Sequence, residues 1–393
     1  MSIKPSENIL DLFNDKPLVK CCAPMVRYSK LQFRNLVKLY DSDLVFTPMI
    51  LADSFCKSSK ARDNEFTTNA LDLPLVTQFA ANTTHDFVGA SYLVAPFCDG
   101  VDLNCGCPQK WARDLCLGCE MLKNPQKIYE LVRECRNRIV KTLTVSVKMR
   151  IQSSITDTVQ ILRQLEMCGV SFVTIHSRSV YDSVGPICEE SLRAAVSNVR
   201  IPIIGNGGLV SLDNCLELQK RTGISGVMVA NGILANPEIY SGSKVPSLGC
   251  IQNWLNICYN STLTMADYND VCDQTCNLTF EERSKNLTFQ CFHHHLVFML
   301  GKILTKSERR VFNNLKTFNS VLEFLENKFG LRPKLSDSKE EFLKTLKLNL
   351  DYSNRTCVYE ELRPREEPTK GSTTYDYSHT NGKYFQEIFI END

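Results

Sequence analysis

The sequence lacks any apolar run of about 18 residues, so nothing in it predicts a membrane-spanning helix. It also lacks an excess of charge, because 45 Lys and Arg stand against 44 Asp and Glu for a net charge of +1. This balance removes the simplest argument for a polyanionic partner, although a local basic patch stays open. Hydrophobic residues at 43% and charged residues at 23% exclude a disordered or collagen-like chain.

The N-terminus lacks the apolar segment and the small-residue cleavage site of a secretory signal peptide. Residues 1–8 read MSIKPSEN, which is not the arginine-rich, acid-poor pattern of a transit peptide. Cysteine, in contrast, is abundant, with 18 residues in 393. Without a secretory leader, these thiols indicate a reducing compartment in which most cysteines are small core hydrophobes. We therefore expect a cytoplasmic protein with no membrane association, and a nuclear location stays open.

Short β-branched runs alternate with helical patterns from about residue 18 to about residue 240. This alternation predicts parallel strands, because a parallel connection needs a helix-length return. Eight such units in roughly 230 residues favour an α/β fold with a closed (β/α)8 TIM barrel. No Gly-x-Gly-x-x-Gly follows the first strand, which counts against a dinucleotide-binding domain. The predicted strands are 18–26, 43–50, 73–80, 100–106, 143–150, 170–178, 201–207 and 226–230.

Beyond residue 248 the pattern becomes helical, with a polar stretch at 267–286 that is typical of a loop. The predicted helices of this small C-terminal helical domain are 250–265, 289–304, 309–317 and 320–329. From residue 333 the chain turns polar and lysine-rich, and we expect a weakly ordered tail. The predicted organisation is an N-terminal extension at 1–17, a barrel at 18–245, a helical domain at 246–332 and the tail at 333–393.

The carboxyl ends of barrel strands form the active site in this fold, so the polar residues there are the first candidates. Gly207 and Gly208 follow the seventh strand, where backbone N–H groups can approach an anion, although an ordinary glycine turn stays open. Lys148 ends the fifth strand, where a cation can balance a phosphate or a reduced ring, or extend into solvent. His176 ends the sixth strand and is either a site residue or a structural histidine.

Cys107 differs from the other cysteines because it lies between Gly106 and Pro108, just beyond a strand. A thiol with a pKa near 8.5 is mostly protonated at neutral pH and can act as a general acid. Packing as a buried cysteine is the alternative.

Cysteine and histidine also cluster elsewhere, but no set has the spacing of four zinc ligands. The clusters are Cys116 with Cys119, Cys272 with Cys276, and Cys291 with His295 on one helix face. We therefore expect no metal.

Several motifs at the strand ends occur together. They are Ala-Pro-Met at 23–25, Gln78, Asn-x-Gly-Cys-Pro at 104–108, Lys148 with Arg150, His-x-Arg at 176–178 and Gly-Asn-Gly at 205–207. As a set they resemble the flavin-dependent tRNA-dihydrouridine synthases. The runs CAPMVRYSK at 22–30, KARD at 60–63, NCGCPQKW at 104–111 and GILANP at 232–237 resemble the eukaryotic, Dus4-like branch of that family. The resemblance is strong over about 18–240 and weaker to about 331.

The resemblance implies an FMN enzyme, reduced by NADPH or NADH, that reduces the C5–C6 bond of uridines of the 20a/20b type in the tRNA D-loop. Cys107 would donate a proton to C5. The implied FMN contacts are Pro24, Met25, Val26, Gln78, Lys148, His176, Asn206, Gly207, Gly208, Ala230 and Asn231. The implied substrate contacts are Asn104, Arg150, Arg178 and two basic clusters, Lys57, Lys60 and Arg62, and Lys302, Lys306, Arg309 and Arg310. We therefore expect tRNA as the partner of a monomeric protein.

The sequence departs from the family pattern at Ser177, where the family usually has glycine, and at Asn231, where it usually has arginine. Segment 180–186 also replaces a histidine-bearing one. One alternative is therefore a flavin-less barrel retained as an RNA-binding or scaffold protein, which the motif at 104–108 counts against. The other is a flavin oxidoreductase acting on a free pyrimidine. The helical domain counts against it, because a small substrate needs no such surface.

Overall fold

The computed structural model describes residues 8–139, 143–180, 185–272 and 287–352. A ring of parallel strands surrounded by helices forms its centre, so the predicted (β/α)8 barrel is confirmed. The strands are β1 Val19–Cys22, β2 Leu44–Phe46, β3 Ile50–Leu51, β4 Leu75–Ala80, β5 Gly100–Cys105, β6 Thr144–Arg150, β7 Phe172–His176, β8 Ile203–Asn206 and β9 Gly226–Val229.

The helices alternate with these strands and then follow them. Those of the barrel are α1 Ile9–Asp15, α2 Leu31–Lys38, α3 Ala52–Lys57, α4 Ser59–Glu65, α5 Thr84–Val94, α6 Lys110–Asp114, α7 Pro125–Arg138, α8 Ile155–Met167, α9 Glu189–Asn198, α10 Leu212–Thr222 and α11 Asn231–Ala235. Those that follow are α12 Leu248–Ser261, α13 Met265–Cys272, α14 Phe289–Leu300, α15 Lys306–Asn313, α16 Phe318–Phe329 and α17 Lys339–Thr345. Among the described residues, no helix has both the length and the apolar character that crossing a membrane requires.

The ring closes through β2, which pairs in parallel with β1 on one side and with β4 on the other. The remaining strands follow in the order β1, β9, β8, β7, β6, β5, β4, and β3 only extends the edge beside β4. The predicted strand at 43–50 is therefore two strands. Pro48 lies between them and has no N–H to donate to a ladder, which explains the interruption.

The strands are buried on both faces, as expected when helices cover the outside of a ring that side chains fill. Every residue of β4, β5 and β9 is buried. Not all of the inward-facing residues are apolar. Gln78, Asp102 and Ser146 are neighbours in register on β4, β5 and β6, and all three are fully buried.

Helix α1 packs against the barrel at the ends where the strands begin. Ile9 and Leu12 are buried, and the Phe13 and Phe172 rings lie 5.5 Å apart between centroids. Asn8 accepts a hydrogen bond from the Leu10 backbone N–H and so caps the helix. The predicted N-terminal extension is therefore in part a packed helix.

The helical region after the barrel agrees with the predicted helices in type, and it differs in one place. Helix α13 occupies the start of the polar stretch at 267–286 that was predicted as a loop, and residues 273–286 lie outside the described residues. Trp254 of α12 is fully buried, and its indole N–H donates to the Phe292 carbonyl of α14 at 3.3 Å.

The prediction of a weakly ordered tail does not hold for residues 333–352. Phe342 of α17 is buried and stacks on Tyr268, with ring centroids 4.4 Å apart. Tyr352 is buried between Phe55 and Phe97, with ring centroids at 6.1 and 5.6 Å. A few buried aromatic side chains hold this segment in place although most of its residues are polar. The average polarity of the segment does not reveal these contacts. Residues 353–393 lie outside the described residues.

A buried ion pair links helix α2 to the segment before β4. The Arg34 and Asp72 side chains are 1% and 0% exposed, and Nη2 lies 2.6 Å from Oδ2. Arg34 also donates to the Ser29 carbonyl at 2.7 Å and to the Thr67 carbonyl at 2.6 Å. These contacts flank β2, the strand that closes the ring.

We expect Arg34→Met to lower the free energy of unfolding by about 3–5 kcal/mol, because the Asp72 carboxylate would stay buried without its partner. Urea denaturation measures this change. The matched control is Arg138→Met at the half-exposed Arg138–Glu134 pair, whose loss should cost less than about 1 kcal/mol. Equal stability of the two variants would contradict the role given to the buried pair.

Candidate active site at the barrel mouth

The carboxyl ends of the strands bring together residues that are distant in the sequence. Asn104 of β5 is paired in register with Lys148 of β6. Arg150 of β6 is paired with His176 of β7, which is in turn paired with Asn206 of β8. The structure therefore places these five predicted residues around one mouth.

Asn104 shapes the turn that carries Cys107. Its Oδ1 accepts hydrogen bonds from the backbone N–H groups of Gly106 at 3.1 Å and Cys107 at 2.9 Å. Its Nδ2 donates to Gln78 Oε1 at 2.8 Å. The carboxamide that was predicted to contact substrate thus holds this turn through its oxygen, and one hydrogen bond from Nδ2 anchors it to Gln78.

The Cys107 turn is also held from the loop that follows it. The Cys119 backbone N–H donates to the Cys107 carbonyl at 3.0 Å. Gly118 has a φ of +62°, and a Cβ added there would lie 2.5 Å from that carbonyl oxygen. Only glycine allows this close approach, so Gly118 is a site-shaping residue that the sequence motifs did not reveal.

The Cys107 thiol is half-buried in the mouth. Burial raises the pKa of this thiol above its ordinary value, while the nearby Lys148 and Arg150 cations act in the opposite direction. The thiol is therefore protonated at neutral pH, as a general acid must be.

Lys148 is half-buried, and within the described parts of the chain no hydrogen bond or ion pair engages its amine. Burial lowers the pKa of Lys148 to about 8, and the Asp102 carboxylate counteracts this effect. Such an amine is available to an anionic or electron-rich ligand in the mouth.

Asp102 lies below the mouth, inside the barrel, and was not among the residues predicted from the sequence. Its carboxylate accepts hydrogen bonds from Ser146 Oγ at 2.6 Å and Gln78 Nε2 at 2.8 Å. Burial raises its pKa to about 6, and the two hydrogen bonds limit that rise. A charged residue within the strand GVDLNC was the signal that could have revealed it.

Arg150 joins two loops of the mouth. Its Nε donates to the Gly106 carbonyl at 3.0 Å and its Nη1 to the Ser179 carbonyl at 2.9 Å. The side chain predicted to contact substrate is therefore observed to connect two loops.

His176 is surrounded by Lys148, Arg150 and Arg178, and burial together with these cations lowers the pKa of its imidazole to about 2. It is neutral at physiological pH.

A glycine pair and an arginine follow β8 and β7. Gly207 and Gly208 have φ values of +126° and +65°, and a Cβ at Gly207 would lie 3.0 Å from His176 Cδ2. The Arg178 Nη2 atom lies 3.6 Å from the position of a Cβ on Gly208, and its Nε donates to the Gly185 carbonyl. Exposed backbone beside a guanidinium fits a phosphate group.

The loop after β1 is anchored by the helical region. Met25 is buried and Val26 is 43% exposed, with Pro24 before them. The Cys291 thiol donates to the Arg27 carbonyl at 3.5 Å, and His295 Nε2 lies 3.1 Å from the Tyr28 carbonyl.

The two side chains of α14 that were weighed as a metal pair, Cys291 and His295, thus bind backbone oxygens. No group of three or more potential metal-ligating side chains occurs in the described part of the chain, and Cys276 lies outside it.

The first predicted basic cluster is divided by the structure. Lys57 and Lys60 are exposed on α3 and α4. Arg62 is buried, and its Nη1 donates to the carbonyls of Phe55 at 2.8 Å and Cys56 at 2.9 Å. This arginine caps the end of α3 from a buried position, and its contact with substrate stays a prediction.

The second cluster, at Lys302, Lys306, Arg309 and Arg310, is exposed throughout. It follows α14, the helix that also packs against α11 at the mouth. Ala230 and Asn231 follow β9 at the same mouth, where Asn231 begins α11 and is exposed.

Fold and site together define a (β/α)8-barrel enzyme whose mouth combines a protonated thiol with a positive-φ glycine pair beside Arg178. Over residues 21–331 the sequence matches the family model described as Dihydrouridine synthase (Dus). The chain belongs to the dihydrouridine synthase family, and the prediction of an enzyme of this family is confirmed.

Curated relatives match most of the chain. One from Mus musculus, named tRNA-dihydrouridine(20a/20b) synthase-like with NAD(P)+ in its name, is 40% identical over 82% of this chain and 92% of its own. A tRNA-dihydrouridine(20a/20b) synthase from Schizosaccharomyces pombe is 34% identical over 84% of this chain and 94% of its own. A tRNA-dihydrouridine(16/17) synthase-like protein from Mus musculus is 30% identical over 60% of this chain and 50% of its own. The names of these relatives do not match the Dus4-like branch that was inferred from the sequence.

We expect alkylation of Cys107 by iodoacetamide to have a pH midpoint above the value near 8.5 of a free cysteine, because only the thiolate reacts and burial disfavours it. Peptide mass spectrometry after timed alkylation at several pH values gives this midpoint. A midpoint below that value would mean that the Lys148 and Arg150 cations outweigh burial, and a midpoint below about 7 would contradict a protonated thiol at neutral pH.

Proposed function

We propose that the protein is a tRNA-dihydrouridine synthase that reduces the C5–C6 bond of D-loop uridines of the 20a/20b type, with FMN and NADPH or NADH. The observation that carries this proposal is the half-buried, protonated Cys107 thiol close to Lys148, whose amine has no hydrogen bond or ion pair to any described residue, at the mouth of a barrel of this family. The position is supported by the names of relatives that match more of this chain than the 16/17 relative does.

The mouth has features that fit FMN. The Lys148 amine can face an electron-rich ring, and the positive-φ glycines beside Arg178 can face a phosphate. The residues that would hold it are Pro24, Met25, Val26, Gln78, Lys148, His176, Asn206, Gly207, Gly208, Ala230 and Asn231. FMN, when bound, would supply the hydride chemistry that no side chain of this protein can supply.

Cys107 would supply the proton. Its Sγ is protonated at neutral pH, and the Lys148 and Arg150 cations nearby stabilise the thiolate that remains after transfer to C5. His176 is too weak a base to carry a proton at this pH, because burial, and then the nearby cations, lower the pKa of its imidazole. Among the groups described at the mouth, the thiol is therefore the best-placed proton donor.

A uridine inside folded tRNA must leave its stack to reach this mouth, which costs a few kcal/mol. Contacts with phosphates would offset that cost and make binding sensitive to salt. Exposed cations lie on α3 and α4 at Lys57 and Lys60, and along 302–310 after α14. The chain is neutral overall, so its affinity for tRNA must come from these local surfaces. A free pyrimidine would not need such surfaces, so their presence favours tRNA as substrate.

The two departures from the family pattern are compatible with flavin binding. Ser177 donates from both its backbone N–H and its hydroxyl to the Asn206 carbonyl, at 3.0 and 3.1 Å, so it supports the site instead of obstructing it. Arg178 offers a cation beside Gly208 that Asn231 does not. These contacts favour the enzyme over a flavin-less scaffold. We further propose that it acts as a cytoplasmic monomer.

We expect the purified protein to be yellow or to take up added FMN, and Cys107→Ala to keep the flavin while losing uridine reduction by about 10²–10⁴-fold, the usual contribution of a general acid. Visible absorption and dihydrouridine content of treated tRNA are the measurements. The control is Cys116→Ala, an exposed cysteine nearby, which should retain activity. A colourless protein that binds no FMN would contradict the proposal. Unchanged activity of Cys107→Ala would show that the thiol is not the proton donor.

We also expect Lys306→Gln with Arg310→Gln to weaken tRNA binding and to lower the slope of log affinity against log salt by about 0.7–0.9 for each phosphate that the variant no longer binds. Filter binding over a salt series measures the slope. The control is Arg138→Gln with Arg200→Gln at the opposite end of the barrel, which should leave the slope unchanged. An unchanged slope in Lys306→Gln with Arg310→Gln would place the tRNA surface elsewhere, and an equal change in both proteins would assign the effect to total charge.

A further inference from the structure

A continuous chain of hydrogen bonds runs from the interior of the barrel to Cys107. Ser146 Oγ and Gln78 Nε2 both donate to the Asp102 carboxylate, at 2.6 and 2.8 Å. Asn104 Nδ2 donates to Gln78 Oε1 at 2.8 Å. The Cys107 backbone N–H donates to Asn104 Oδ1 at 2.9 Å, which ends the chain.

In this chain of hydrogen bonds each amide has one defined orientation of donor and acceptor, and Asp102 sets that orientation. An ionised carboxylate only accepts hydrogen bonds, so the Gln78 amide must turn its NH₂ group toward Asp102 and its oxygen toward Asn104. Asn104 must then turn its own NH₂ group toward Gln78 and its oxygen toward the turn. That oxygen is the acceptor that the backbone N–H groups of Gly106 and Cys107 need.

The opposite orientation of the two amides would be unfavourable. It would place the Asn104 NH₂ group against the N–H groups of Gly106 and Cys107, so that donors face donors. Gln78 and Asn104 are 0% and 8% exposed, so water has little access to resolve this mismatch. An amide by itself has no strong preference between its two orientations, and the buried carboxylate removes the ambiguity.

We propose that Asp102 is a positioning residue that orients Gln78 and Asn104 and thereby holds the turn that presents Cys107 at the mouth. The role of Cys107 as proton donor rests on the proposed function, whereas the positioning of its turn does not. Asp102 is linked to the Cys107 turn through Gln78 and Asn104, and no hydrogen bond recorded for the described residues joins it to Cys107 directly.

Two variants separate hydrogen-bond direction from charge. Asp102→Leu removes the acceptor and releases Gln78. Asp102→Asn removes the charge but retains an acceptor oxygen for Gln78, and the Ser146 hydroxyl can rotate to accept from the new NH₂ group. The direction of the chain is therefore preserved only in Asp102→Asn.

The readout is the rate of Cys107 alkylation by iodoacetamide, divided by that of Cys116 in the same sample. We expect this ratio to change by about fivefold in Asp102→Leu, the effect of losing one ordinary hydrogen bond. It should stay close to the wild-type ratio in Asp102→Asn. An unchanged ratio in Asp102→Leu overturns the proposal, and so does an equal change in both variants, which would assign the effect to charge.

Thr77→Val is the matched control. Thr77 precedes Gln78 on β4, so its buried hydroxyl lies on the opposite face of the strand, outside the chain of hydrogen bonds. If Thr77→Val altered the alkylation ratio as much as Asp102→Leu does, the proposal would be overturned. The loss of any buried polar group would then be enough to change the reactivity of Cys107. If Asp102→Leu does not fold, Asp102→Ser replaces it, since a serine hydroxyl is too short to reach both partners, and the same outcomes apply.

Activity is measured separately. A wild-type protein that makes no dihydrouridine in tRNA would end the proposed function, and the alkylation ratios would still decide the role of Asp102. If the enzyme is active, dihydrouridine formation should fall in Asp102→Leu and be largely retained in Asp102→Asn. Full activity in Asp102→Leu would overturn the proposal.

Discussion

The interior of a closed strand ring has little access to water, so every polar group inside it must find its partner among its neighbours. Asp102 is the strictest case, because a buried carboxylate needs donors and can itself only accept. Ser146 and Gln78 supply those donors from the two adjacent strands. The requirement then passes from Gln78 through Asn104 to the turn of Cys107, so the chemistry of the mouth depends on an interaction one layer below it.

The mouth also depends on contacts made from outside the ring. Arg34 and Asp72 flank the strand that closes the barrel, and they tie helix α2, and through the Ser29 carbonyl the loop after β1, to the segment before β4. Helix α14 holds that same loop through the carbonyls of Arg27 and Tyr28. The surface proposed to bind tRNA and the loop proposed to line the flavin are thus neighbours in one packed unit. This arrangement suits an enzyme whose substrate base must enter from a large folded RNA.

The fold was largely predictable because strand and helix periodicities are local properties. The eight strand segments and the thiol at 107 followed from short runs of sequence. Arg62 and the tail were not predictable in this way. Arg62 is basic in composition but binds the carbonyls at the end of α3, and Tyr352 is held by aromatic side chains from much earlier in the chain. Composition reports average polarity, and it cannot report which individual side chain finds a distant partner.

By itself, the sequence determined the parallel barrel, the position of Cys107 after a strand and the family resemblance. Each of these depends on periodicities and motifs formed by residues that are close together in the sequence. Only the tertiary structure decided which polar groups meet. Gln78 is 24 residues from Asp102 and 26 from Asn104 along the chain, yet strand register sets it beside both. The same closure leaves Lys148 without a described partner and commits Arg150 to two loop carbonyls. Hydrogen bonds act over about 3 Å, so their partners are set by distance in space and not by distance in sequence.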